Sequence, residues 1–469
     1  MITILSFGGL LILYLGIGFA ASMKGRETPD DYHLASRSVP PSLVGLSAIA
    51  TNNSAFMFIG VIGYTYVAGL AAAWLLCGWI FGDFLGSLLI HQKLRKATER
   101  TGERSFGGVI SRWNGADMPT WRRLAAIVTI VSLGTYTAAQ IVASGKAFQG
   151  ALGWERSSGI WMLAPILLLY GAFGGIRASM WRDVAQAAVM LASIGMMFFA
   201  GLSAAGGISE TIAAWRAIPG FLDLTPPALI ISGAGGLILF ALGWILAGLS
   251  VIGQPHVMVR FMALGRPQQM MAARIYYYSY FIIFYLLATG VGMLARLHAP
   301  GLADAELALP VMAASLLPPA LLGIVLSGIF AAAMSTADSL VMNCSTALAY
   351  DVPPDRLQHP LALKAGTMII VAAALVLALQ TDAAIFDLVI FSWSALGAAF
   401  GPLLILLAGG RSVSQTSAIL ITATGVAVAL AWRGAGFHDM VYEGLPAIAA
   451  GLALGLALSS GKQRRFVSG

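Results

Sequence analysis

Residues Leu46–Gly60 read LSAIATNNSAFMFIG, and the four polar residues in the middle, Thr51, Asn52, Asn53 and Ser54, decide how the chain is read. They lie within an apolar run near 42–68 that is long enough to cross a bilayer. Hydrocarbon satisfies neither polar side chains nor a broken backbone, so such a run is costly unless it faces protein, water or a ligand. A spanning helix interrupted at mid-depth is a mark of a secondary transporter's binding site.

The rest of the chain supports the membrane reading. Of 469 residues, 58% are apolar and 10% charged, where a soluble domain has roughly 25% charged residues. Mean hydropathy is +0.84. Apolar runs of about 17–25 residues place about thirteen spans, near 2–22, 42–68, 71–92, 123–150, 158–176, 183–205, 228–254, 273–296, 320–349, 363–380, 384–408, 415–432 and 444–460. The first lacks a basic stretch before Ile2 and a clear cleavage site before Lys24, so it reads as a retained helix. Lysine and arginine crowd alternate loops, from Lys24, Arg26 and Arg37, through Lys93–Arg123, to Arg356 and Lys364 and then Lys462, Arg464 and Arg465. That asymmetry puts the N-terminus outside and the C-terminus in the cytoplasm of a plasma membrane, the inner membrane of a bacterium. The net charge of +7 is then a matter of topology, with the lipid bilayer rather than nucleic acid as partner. Cys77 and Cys344 both fall in spans and suggest no disulfide or metal spacing. No feature of the loops specifies an oligomeric state.

Span 228–254 repeats the irregularity of span 42–68. Gly243–Pro255 reads GWILAGLSVIGQP, a poor continuous helix because of Gly243, Gly248, Gly253 and Pro255. Two interrupted spans, five spans apart, imply two five-helix repeats at 42–205 and 228–408, the second inverted because five is odd. The remaining parts are 1–41 (an extra helix and first cytoplasmic loop), 206–227 (an external loop) and 409–469 (two helices and a tail).

Five motifs resemble the sodium:solute symporter family: DYHLASRSVP (Asp31–Pro40), GLSAIATNNS (Gly45–Ser54), GGIRASMWRDVAQA (Gly174–Ala187), GQPHVMVRFMA (Gly253–Ala263) and GIFAAAMSTADS (Gly328–Ser339). The likeness is greatest to sodium/proline symporters. It implies an all-α membrane protein of the leucine-transporter fold, with ten core helices, one before and two after. It also implies sodium-driven uptake of a small organic solute by alternating access.

By residue match, the family's main sodium site falls on the carbonyls of Ala50, Asn53 and Ala332 and the hydroxyls of Ser335 and Thr336. A hard cation wants several oxygen ligands, and an unwound helix frees carbonyls to supply them. The alternative for Ser335 and Thr336 is hydrogen bonding within their own helix or packing against a neighbour. Some family members have a second cation site, which here falls on Asp183, Asp338 and Ser339 and would bind a cation or a proton. Its alternative is that Asp183 caps its helix or pairs with Arg182 while Asp338 is solvated. Proline symporters carry an aspartate where this chain has Asn52, and Asp338 is expected to compensate for the missing charge.

The matched solute positions are Asn52, Phe56 and Gly60 on the first broken helix, Tyr136 on the third core helix, and Ala247 and Val251 on the second broken helix. Proline transporters have aromatic residues at the last two, so the pocket is expected to be roomier and less aromatic. Phe56 and Tyr136 would enclose the solute or, alternatively, only pack helices. Asp83 and Lys146 read as a buried pair, or Lys146 as the holder of a substrate carboxylate, with a position near the membrane edge preferred for Lys146. His256 and Arg260 read as gate or interface residues on the cytoplasmic side. Nothing resembles an enzyme's metal cluster, nucleophile elbow or phosphate loop. By the resemblance, sodium is the expected coupling ion, with protons as the alternative. The solute would be an amino acid such as proline or a monocarboxylate. A transporter-like sensor acting with a separate partner is the other class.

Overall fold

The computed structural model describes residues 1–23, 28–173, 175–226, 228–352 and 360–460. Among them every regular element is helical, joined by two isolated β-bridges. In chain order the main helices are α1 (Ile2–Ser22), α2 (Pro41–Asn52), α3 (Ile62–Ala68), α4 (Ala73–Gly86), α5 (Gln92–Thr101), α6 (Pro119–Leu152), α7 (Arg156–Phe173), α8 (Ile176–Ala204), α9 (Ala234–Leu249), α10 (Pro255–Met262), α11 (Met270–His298), α12 (Ala308–Leu316), α13 (Pro319–Tyr350), α14 (Pro360–Gln380), α15 (Ile385–Ala408), α16 (Gln415–Gly434) and α17 (Gly444–Leu458). The basic residues Lys24, Arg26, Arg356, Lys462, Arg464 and Arg465 lie outside the described residues, as do Gly174 of the third motif and the tail after Ser460.

Nine described helical stretches are long and apolar enough to cross a membrane, and shorter apolar helices occupy the expected spans at 158–176, 363–380 and 444–460. Helices α2 and α3 share span 42–68, and α9 and α10 share the second broken span, which runs on to Met262. Short helices that were not anticipated lie in the connections: Pro29–Leu34, Phe106–Ser111, Ile208–Arg216 and α12, the last between α11 and α13.

The stretch Met57–Thr101 reverses direction at Gly69, where φ is +58°. Before the turn, Gly45 packs against Ala273 near the start of α11, and the Tyr66 hydroxyl bonds to Ala299 just past its end. After it, Arg95 returns to the start of α11, bonding the carbonyls of Leu264 and Gly265. Glycine supplies the left-handed backbone that the reversal needs, and Leu70 N–H is taken up by the Phe221 carbonyl.

Glycines also set how closely α4 and α9 cross. A Cβ on Gly82 would meet the backbone of Ile245 and Leu249, and one on Gly248 would meet the backbone of Trp79. Without a hydrophobic drive between helices in lipid, such small-residue contacts let backbones approach. The crossing leaves Trp79 and Asp83, one turn apart on α4, buried in the bundle. Helix α13 is buried over most of its length, against α1, α6, α8 and α2.

Two of the motifs meet at one end of the bundle. Asp31 and Arg177 form an ion pair of 2.7 Å, and Arg177 also bonds the Ala35 carbonyl. Ala35, Ser36 and Arg37 hold positive φ there. At the other end Lys146 pairs with Asp304 and Glu306, both at 2.7 Å. Lys146 is thus at an edge, the position preferred for it, and is not paired with Asp83. Glu306 in turn accepts from the backbone N–H groups of Ile385 and Phe386, fixing the start of α15.

Candidate functional site

Helix α2 stops at Asn52 without glycine or proline. Short polar side chains compete with the backbone for hydrogen bonds, which makes Asn52–Ser54 a stopping point even in an apolar run. The donors freed by the break are met from nearby: Gln140 of α6 accepts from Ala55 N–H at 3.0 Å, and the Ser54 hydroxyl accepts from Phe56 N–H at 3.1 Å. A π turn over Met57–Val61 then leads into α3. The second break is a short 3₁₀ turn, Ser250–Gly253, followed by extended Gln254 and by Pro255 at the start of α10. Gln254 donates to the carbonyls of Ser250 and Trp393.

The expected sodium ligands meet at the first break. The Ser335 hydroxyl lies 3.2 Å from both the Ala50 carbonyl of α2 and the Ala332 carbonyl of α13. The Thr336 hydroxyl donates to the Thr51 carbonyl at 2.9 Å. Asn53, in the turn just after, is fully buried, and its side-chain amide has no partner. Four of the five expected residues therefore lie across one helix–helix contact, with neutral oxygens facing one another.

The second expected cation site is arranged differently from either sequence reading. Asp183 pairs with Arg260 at 3.3 Å, not with Arg182. It also accepts from the Ser47 hydroxyl at 2.6 Å and the Thr51 hydroxyl at 3.4 Å. Arg260 donates to the Ser339 hydroxyl as well. Asp338 is buried rather than solvated and pairs with Arg182 at 2.7 Å. Each acid thus has its own guanidinium, and the expectation that Asp338 offsets the missing charge at Asn52 is corrected. Arg260 and His256 are fully buried in the bundle.

A circuit of aromatic contacts surrounds the first break. Phe56 packs on Trp79, Trp79 on Trp393, Trp393 on His256 and His256 on Tyr136, with centroid distances of 5.8, 5.3, 6.2 and 5.6 Å. The Tyr136 hydroxyl closes the circuit on Ser54 at 2.9 Å. Trp79 Nε1 and both His256 ring nitrogens are buried without partners. Where the second broken helix carries Ala247 and Val251, rings come from α4 and α15 instead. Ala247 lies behind Trp393, its carbonyl accepting from the indole at 2.7 Å, and Val251, in the 3₁₀ turn that follows α9, is fully buried. Gly60 leaves room for Phe56 and Phe386, since a Cβ there would lie 2.9 Å from the Phe56 ring. Phe386 covers Phe56 at 5.4 Å and stacks on Tyr64, with Trp244 beside them. Trp79 and Trp393 were missed by sequence reasoning. Their only signal was helical spacing, from Asp83 on α4 and from Phe386 on α15.

Asn52 itself points to neither acid of the second site. Its Nδ2 donates to the Tyr277 hydroxyl at 2.6 Å and approaches Asp83 at 3.4 Å. Tyr277 and Tyr278 of α11 both donate to Asp83, at 2.9 and 2.6 Å.

A model of the sodium:solute symporter family matches residues 32–410. The chain belongs to that family. The symporter is 30% identical to the high-affinity proline transporter PutP of Bacillus subtilis, with 93% of each chain covered. It is 27% identical to the sodium/proline symporter of Salmonella typhimurium, over 95% of this chain and 90% of the other. Among solved structures, a Na⁺-coupled sialic acid symporter in a substrate-bound outward-open state has a TM-score of 0.81 at 17% identity, covering 99% of each chain. Mhp1, a nucleobase-cation-symport-1 family transporter, gives 0.59 at 13% identity over 92% and 94% of the two chains. These likenesses show the leucine-transporter fold with its inverted five-helix repeats. The protein is a sodium-coupled solute symporter of the membrane, not an enzyme.

Proposed function

We propose that the symporter imports a proline-like amino acid by alternating access. Sodium binds between the first break and α13, at the carbonyls of Ala50, Asn53 and Ala332 and the hydroxyls of Ser335 and Thr336. The observation that carries the ion assignment is the meeting of the Ala50 and Ala332 carbonyls at the Ser335 hydroxyl. A bound ion would replace those hydrogen bonds, the hydroxyls turning to present lone pairs. What supports the solute assignment is the similarity to proline carriers together with the circuit of Phe56, Trp79, Trp393, His256 and Tyr136. Apolar walls with a few free polar atoms suit a small zwitterion with an apolar ring. Asn52 and Gly60 lie along the break, with Ala247 and Val251 behind Trp393.

At the second cation position, Asp183 and Ser339 hold Arg260 and Asp338 holds Arg182, so one sodium ion per solute is expected. The units are the repeats 42–205 and 228–408, flanked by 1–41, 206–227 and 409–469. The basic loops put the N-terminus outside and the C-terminus in the cytoplasm of a bacterial inner membrane.

The test is uptake of labelled proline by the purified protein in liposomes, with competing amino acids and monocarboxylates. Accumulation that needs an inward sodium gradient and is displaced by unlabelled proline is expected. Uptake displaced by a monocarboxylate but not by proline overturns the solute, and uptake that follows pH but ignores sodium overturns the ion.

A further inference from the structure

Buried carboxylates in this protein come with a basic partner. Asp31, Asp183, Glu306, Asp338, Asp351 and Glu443 are each within 3.3 Å of an arginine or lysine nitrogen. Asp83 is the exception among the described residues. It is fully buried near the middle of the bundle, and its partners are neutral: the hydroxyls of Tyr277 and Tyr278 and the amide of Asn52. A lone buried charge is costly, because neutral hydrogen bonds do not replace the solvation that a carboxylate loses.

The sodium position has the opposite imbalance. Its oxygens, from Ala50, Ala332, Ser335 and Thr336, carry no formal charge. An ion bound there would add an uncompensated positive charge to the same low-dielectric core. The other nearby acids are already matched, Asp183 by Arg260 and Asp338 by Arg182.

Asn52 joins the two imbalances. It follows Thr51, whose carbonyl is bonded to Thr336. Its Nδ2 donates to Tyr277, which itself donates to Asp83. The hydrogen bonds thus run in one direction, from amide to tyrosine to carboxylate, and such chains polarise one another. The other end of the amide, Oδ1, is buried and has no partner. A carboxylate drawing on the N–H end makes that oxygen a stronger acceptor for a cation.

We propose that Asp83 is the counter-charge of the coupling ion, acting through Asn52 and Tyr277 as a positioning residue rather than as a direct ligand. Resting on the sodium site assigned above, the proposal says why a site of neutral oxygens retains a cation. It also says why α4 carries an acid with no arginine beside it.

The experiment measures sodium half-saturation of uptake in liposomes, and sodium-dependent thermal stabilisation of the purified protein, for four variants. Ser335→Ala tests the ion site. If it leaves the sodium response intact, the site reading itself fails. With Ser335→Ala impaired, Asp83→Asn is expected to raise the sodium half-saturation by about ten-fold or more, while the solute KM at saturating sodium changes by less than about three-fold. The double variant Asn52→Asp/Asp83→Asn moves the carboxylate to the helix break and is expected to restore sodium affinity to within about three-fold of wild type. Tyr278→Phe removes one bond to Asp83 but leaves the path to Asn52 intact, and should shift sodium affinity by about three-fold or less. An unchanged sodium response in Asp83→Asn overturns the proposal, as does a double variant no better than the single. If Asp83→Asn does not fold, the double variant decides: sodium-responsive near wild type supports it, sodium-insensitive overturns it.

Discussion

Helix α2 ends at Asn52–Ser54 without glycine or proline, and Gly60 comes only later, in the π turn, whereas α9 gives way to α10 through Gly253 and Pro255. At the first, polar side chains end the helix, and groups from α6 and α13 take up the loose donors and hydroxyls. At the second, backbone chemistry ends the helix, and the turn packs closely on α15, with Gly253 against the Leu396 carbonyl. A break made by polar side chains leaves oxygens and amides facing inward, where they can hold an ion. A break made by glycine and proline mainly changes direction and lets backbones touch. The first is therefore expected to be the chemically active one, and the second the shaping one.

The largest test of that contrast is Ser335→Ala combined with Thr336→Ala. Two hydroxyls facing the first break are lost, and sodium-driven uptake should fall by about 100-fold or more with protein levels unchanged, since a hard cation loses oxygen ligands. Next is Gln140→Leu, which leaves the Ala55 N–H buried and unpaired. The cost is about 1–3 kcal/mol, read as a lower melting temperature together with weaker sodium stabilisation. At the second break, Gly253→Ala would place a Cβ 2.6 Å from the Leu396 carbonyl. Overpacking of this kind costs about 1–3 kcal/mol, but here the increment of stability conferred by sodium should be unchanged. A lost increment would mean that the second break also handles the ion. The smallest effect is expected for Pro255→Ala. Proline stands at the first position of α10, where its missing N–H is not needed. The melting temperature should move by the equivalent of about 0.5 kcal/mol or less.

Much of this architecture was legible in the chain. Apolar run length located the spans, and the polar residues at Thr51–Ser54 marked the first break, because bilayer physics makes both expensive to disguise. The family motifs brought Ala50, Ala332 and Ser335 into one hypothesis, and the structure places them in contact. The aromatic circuit was not legible. Trp79 and Trp393 come from helices far apart in sequence, and a membrane aromatic on a helix face looks the same whether it lines a site or packs a neighbour. The α12 connection was hidden by its length, being too short to read as a span.

The charges draw the line most clearly. The sequence by itself determined that acids at 83, 183 and 338 and basic residues at 146, 182 and 260 lie in or beside apolar spans, and that each must be compensated. Helical spacing put Asp338 near the face of Ser335 and Lys146 well along its helix from Tyr136. Which charge meets which was decided only by the tertiary structure, because it depends on helix rotation and on glycine-set approach distances between segments far apart in the chain. Asp183 found Arg260 across 77 positions and Asp338 found Arg182 across 156. Lys146 went to Glu306 at the edge, and Asp83 was left with two tyrosines 194 and 195 positions away. Burial dictates that a charge be answered; only the packing of helices says by what.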